Sequence, residues 1–187
     1  MRAKWPGPEK QKSDPPPPHD RLRRLAAGIQ ALAAKDEQFL RRAHEITELR
    51  QRAAGDLYHV CSGFAASVNR LLSHPELTVD PPDYLPGSFN EDGTNLIQIS
   101  VRGRILQIEF EATPELISTE DFRIPYTIEG AIRSFNQEWL ERNTIMEQLI
   151  FYCLEKNRHH WRYFDARTYR SGPLDQDYLV SLMELLI

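Results

Sequence analysis

The stretch best suited to chemistry runs from Arg158 to Arg170, where arginines alternate with histidines and aromatic rings. Surfaces that hold single-stranded nucleic acid combine guanidinium–phosphate contacts with bases stacked on aromatic faces. Arg158, Trp161, Arg162, Tyr163, Arg167 and Arg170 are the residues such a surface would use, with Arg21, Arg23 and Arg24 as supplementary cations. The competing reading packs the aromatics beneath neighbouring elements and leaves the arginines as ordinary surface. If residues 160–165 form a strand, alternation puts His160, Arg162 and Phe164 on one face and Trp161, Tyr163 and Asp165 on the other.

The same stretch offers acid–base groups. A small hydrolase-like site would draw on His159 or His160 with Asp165, Tyr163 or Glu155, and a metal site on His159, His160, Cys153 and Asp165. Adjacent histidines on a strand point to opposite faces, so they cannot chelate one ion together. We therefore expect no metal, no cofactor and no catalytic set. The strong signatures are also missing from the sequence. No C-x-x-C or H-E-x-x-H pair suggests zinc, no glycine loop cradles phosphate, and no G-x-S-x-G elbow presents a nucleophile. Glu109 and Glu111 would share one strand face and could serve as an acid–base or cation-binding pair. With Gln107 in line and no His or Cys on that strand, they read as solvated surface.

A further pattern belongs to association rather than catalysis. Phe39, Ala43, Ile46, Ala53, Leu57, Val60, Phe64 and Leu71 fall on alternating three- and four-residue steps, interrupted by Arg50. Such spacing makes an almost heptad-like seam along a helix. A helix over these residues would be about 50 Å long at 1.5 Å per residue, longer than a domain of this size is wide. The seam must fold back at Lys35 as a helical hairpin, pack on a sheet, or pair with another chain.

These groups need elements to hold them. Residues 1–18 carry six of the thirteen prolines and almost nothing apolar, so they read as a disordered arm. Asp20 suits a helix N-cap, and Leu22, Leu25, Ile29 and Leu32 follow at helical spacing. The helical segment extends over 19–73 and ends at Pro75. Prolines and turn formers dominate 74–93, with room for one short strand at Leu77–Val79. The period then changes to two. Ile97, Ile99 and Val101, the Arg102-Gly103 turn, and Leu106, Ile108 and Phe110 spell a β-hairpin with one dry face. A further alternating run begins at Phe122, with Pro125 marking an edge or bulge, and strand character resumes through Ala131 to Phe135. The apolar run Leu149–Leu154 suits either a strand or a helix; a following turn favours strand. Asp175 caps a last helix bearing Tyr178, Leu179, Leu182, Met183 and Leu186.

Helices, then strands, then a closing helix imply an α+β fold. We expect an N-terminal amphipathic helix or helical hairpin, an antiparallel sheet of about five to six strands and a closing C-terminal helix. Residues 74–187 would form one domain with 19–73. The net charge of −4 argues against a global nucleic-acid surface, although charge is segregated. Residues 76–141 hold 13 acidic against 4 basic side chains, between two mildly basic segments. Cys61 and Cys153 sit among apolar neighbours, as free thiols do in a reducing compartment. No stretch has the 18 apolar residues of a membrane span, and the first residues lack a secretory core. The location expected is cytoplasmic. The function expected is a non-catalytic interaction or scaffold module, with a protein partner or a second copy on the seam, nucleic acid as the alternative ligand, and no membrane.

Overall fold

Helix α1 runs unbroken from Pro18 to Asn69, 52 residues, in a computed structural model that describes residues 18–85, 87–120, 122–136, 141, 145–155 and 158–187. Of the two expected forms, amphipathic helix or helical hairpin, the single helix is observed, and no hairpin forms at Lys35. Lys35 and Asp36 lie between good helix formers with no proline or glycine beside them, so nothing local breaks the backbone hydrogen bonds there. Asp20 sits inside the first turn rather than at the cap, where its charge complements the helix dipole. At the other end the Asn69 side chain closes the helix. Its Oδ1 accepts from the backbone N–H groups of Glu76 and Leu77, each at 2.9 Å, and its Nδ2 donates to the Leu77 carbonyl at 2.8 Å.

The strands are β1 (Thr78–Asp80), β2 (Asn95–Val101), β3 (Arg104–Ile117), β4 (Tyr126–Asn136), β5 (Met146–Glu155), β6 (Arg158–Asp165) and β7 (Arg170–Pro173), followed by helix α2 (Gln176–Glu184). They pair antiparallel in sequence order, making one seven-stranded meander. The count exceeds the five to six expected because the short edge strands β1 and β7 also join. β1 falls within one residue of the expected short strand. The β2–β3 hairpin turns on Arg102 and Gly103, both at positive φ, with Ile97 opposite Ile108 and Ile99 opposite Leu106. The run starting at Phe122 is corrected: Phe122–Pro125 are loop, and one continuous strand begins at Tyr126. The Leu149–Leu154 run is strand, as the following turn suggested.

The chain divides into two compact units, Met1–Ala43 and His44–Ile187. The core of the second lies between one face of the sheet and two helices. Ile97, Ile108, Phe110, Ile132, Ile150 and Trp161 meet Ala53, Leu57, Cys61 and Phe64 of α1 and Leu179, Leu182 and Met183 of α2. Small side chains at positions 53 and 54 bring α1 close enough for the Trp161 indole N–H to donate to the Ala53 carbonyl at 2.7 Å. Asp175 caps α2 through the Tyr178 N–H at 3.0 Å, and Leu186 is buried near the chain end. On the opposite face a smaller cluster gathers Phe122, Tyr126, Phe151, Cys153 and Phe164. Among the described residues, no helix is long and apolar enough to cross a membrane.

Candidate interaction surface

The helical seam splits into two stretches of different character. Ala53, Leu57 and Phe64 are buried in the core, and Val60 packs against it. Arg50, which interrupts the seam, ties α1 to the sheet. Its guanidinium is nearly enclosed, ion-pairs with Glu91 at 2.7 Å, and donates to the Thr127 hydroxyl at 3.0 Å and to the Thr113 carbonyl. The interruption is therefore a polar anchor that needs its several acceptors to offset desolvation. Ile46 is 38% exposed and Leu71, just past the helix, 88%.

Within the first unit the seam faces solvent. Phe39 is 71% exposed, and Leu22, Leu25, Ile29, Leu32 and Leu40 are 59–66% exposed. Ala43 is exposed as well. Positions 22, 25, 29, 32, 36, 39 and 43 alternate steps of three and four, so one helical face carries all of them, with Asp36 the single polar member. Soluble chains rarely leave so long an apolar row uncovered. The 22–32 and 39–71 patterns share one phase through Asp36.

The basic–aromatic segment forms β6 and the turn after it, and its two ingredients part company. Trp161 is in the main core, and Tyr163 stacks on Tyr178 with ring centroids 3.8 Å apart. Arg158, Arg167 and Arg170 are exposed. Arg162 lies 3.5 Å from the Glu155 carboxylate and donates to the Ser171 hydroxyl at 3.3 Å. The arginines and the two rings are not brought onto one surface.

The acid–base candidates are likewise dispersed. His159 is exposed. His160 stands directly across from Cys153, 3.8 Å from Glu155. Burial pushes the Cys153 thiol up to about 12, so it carries no thiolate at neutral pH. Asp165 organises the turn after β6, accepting from the Arg167 N–H and the Thr168 hydroxyl, both at 2.9 Å. The Arg167 N–H and the other groups it accepts from hold its carboxyl below the usual range. His160 and Asp165, an odd number of residues apart on one strand, belong to opposite faces. Among the described residues no three His, Cys, Asp or Glu side chains cluster as a metal site.

Compared with protein families, with curated proteins and with solved structures, the chain matches none.

Proposed function

We propose that the protein is a non-catalytic interaction module that self-associates through residues 22–43 of α1, in an antiparallel pairing with a second copy. The observation that carries this reading is the exposed row Leu22, Leu25, Ile29, Leu32 and Phe39, interrupted only at Asp36 and flanked by Leu40. Covering one such side chain fully is worth about 1.5–3 kcal/mol, so a surface of this kind favours a partner. Antiparallel seams place each a position opposite a d position. Centred near Ala34, the sequence then sets Leu25 against Ala43, Ile29 against Phe39 and Leu32 against Asp36. Large residues meet small ones at the Leu25 layer, and Leu40 covers Ala26 of the second copy. A parallel, in-register pair instead stacks Asp36 on Asp36 within the seam and sets Arg21, Arg23 and Arg24 beside the same three arginines. Like charges so placed repel, which favours the antiparallel choice.

Light scattering on a sizing column tests this. The expected mass is twice the 21.7 kDa of the chain, falling to the single-chain value for the Leu25→Glu/Ile29→Glu variant with its circular dichroism unchanged. A wild-type monomer at on the order of 100 µM, where an association of this kind populates its dimer, sinks the reading.

Nucleic-acid binding remains the second reading, resting on exposed Arg158, Arg167 and Arg170 alone. It predicts weak binding without base stacking that collapses with added salt.

A further inference from the structure

The turn that joins β6 to β7, residues 166–169, carries a ring that the fold does not bury. Tyr169 is 72% exposed, whereas Trp161 and Phe164 of the same segment are packed inside and Tyr163 lies against Tyr178. Its φ is +56°, a conformation that glycine adopts freely and a tyrosine only under strain. The turn closes through the Tyr169 N–H, which donates to the Asp165 carbonyl at 2.8 Å, a bond that a glycine would make equally well. The backbone therefore suits glycine here, and the ring is surplus to the turn. Strain of this kind gathers at sites of function.

The ring is held as well as exposed. It meets Phe164 edge-on, with centroids 6.2 Å apart and planes at 74°, so one contact orients it while most of its surface stays open. Arg167 and Arg170 accompany it in the turn and are both exposed. Among the described residues Arg170 has no ion-pair partner. The carboxylate of the turn, Asp165, is occupied by the Arg167 N–H and the Thr168 hydroxyl, with the Arg167 guanidinium 3.6 Å away. The turn thus presents one free guanidinium, and a second shared with Asp165, beside an oriented open ring. Arg158 stands at the far end of β6 and is no part of this group.

We infer that the β6–β7 turn is a contact site for single-stranded nucleic acid, with a base stacked on Tyr169 and the adjoining phosphates on Arg170 and Arg167. Stacking on an aromatic face accepts any base, and guanidinium–phosphate contacts are charge-assisted hydrogen bonds. A duplex keeps its bases stacked on one another and leaves the ring idle, so the strand is single. The inference builds on the nucleic-acid reading above, which has arginines alone: Tyr169 supplies the ring that Trp161 and Tyr163, packed in the body, cannot. It is independent of self-association through α1, which uses other residues.

The test is fluorescence anisotropy on the full chain at low salt, with a short fluorescein-labelled oligothymidylate and with an abasic strand carrying the same phosphates. The oligothymidylate should bind at least about tenfold more tightly than the abasic strand. Tyr169→Gly should erase that difference and leave the abasic affinity unchanged. Its melting temperature should be no lower than that of the wild type, because glycine takes up φ +56° without strain. Tyr169→Phe keeps the ring and should keep the difference. Arg170→Gln should weaken both strands alike and reduce the slope of affinity against salt by about one. Absence of saturable binding by both strands at on the order of 1 mM protein would overturn the inference together with the arginine reading beneath it. Equal binding of the two strands would overturn the inference alone and leave contact through the arginines. A Tyr169→Gly protein that binds the oligothymidylate as the wild type does would have the same effect, and so would one that melts earlier, since the ring would then belong to the fold.

Discussion

One helix contains both an ordinary core element and an uncovered one, and the two differ in surroundings rather than in pattern. Around Ala53, Leu57 and Phe64, α1 lies under a seven-stranded sheet, and the seam is buried to the last few per cent. Around Leu25, Ile29 and Phe39 the same three–four spacing continues, with side chains as large, and stays mostly exposed. Amphipathic periodicity states that a face will be covered; it does not say by what. Each stretch also has one polar interruption, and these contrast in the same way. Arg50 is engaged by Glu91, Thr113 and Thr127. Asp36 is exposed.

The sharpest way to break this comparison is truncation. Phe64→Ala and Leu57→Ala should each cost about 2–5 kcal/mol in chemical denaturation, because each opens a cavity in a packed interior. Leu25→Ala and Ile29→Ala, measured on dilute monomer, should fall within about 0.5 kcal/mol of wild type. Equal losses in the two sets would mean that residues 22–43 are covered within their own chain, and the self-association proposal would fall.

Next in size is the sheet itself. Gly130→Ala forces a Cβ against the Glu109 carbonyl and Phe110, and should destabilise by about 1–3 kcal/mol without changing the mass in solution. The polar interruptions come after it. Arg50→Met should lose about 2 kcal/mol, since Glu91 and the Thr113 carbonyl are left without their donor. Asp36→Leu should leave the monomer unchanged and tighten the dimer by about tenfold, by completing the seam opposite Leu32. A destabilised monomer in that variant would place Asp36 in an intramolecular contact. Spin labels at Arg23→Cys sharpen the orientation. The antiparallel pair separates them by about 33 Å, from 22 residues at 1.5 Å each, whereas a parallel pair holds them within the width of two helices.

The smallest effect concerns the thiols. Burial pushes Cys61, like Cys153, up to about 12 from an ordinary 9. The folded chain therefore holds these protons more tightly than the unfolded chain does. The associated stability is complete below pH 9 and is lost as pH rises from there towards 12. At pH 8 neither thiol should react with a maleimide on the timescale that modifies an added Ala33→Cys in a monomeric variant, and both should react once the chain is unfolded. Rapid native labelling of Cys61 would contradict its place under the sheet.

The sequence by itself determined the local periods. The shift from three–four spacing to alternation after residue 94, the Arg102-Gly103 turn and the Asp175 cap specify helix, β-hairpin and closing helix, because each is settled by neighbours a few residues apart. It also marked Ala53, Leu57, Val60 and Phe64 as one face, and it separated Trp161 from Arg162. Only the tertiary structure decided that Lys35 is no turn, that the seam is covered between Ala53 and Phe64 and bare from Leu22 to Ala43, and that Glu111 faces Glu129. Spacing along a chain carries the geometry of one element, whereas burial and juxtaposed charge depend on which distant element packs against it.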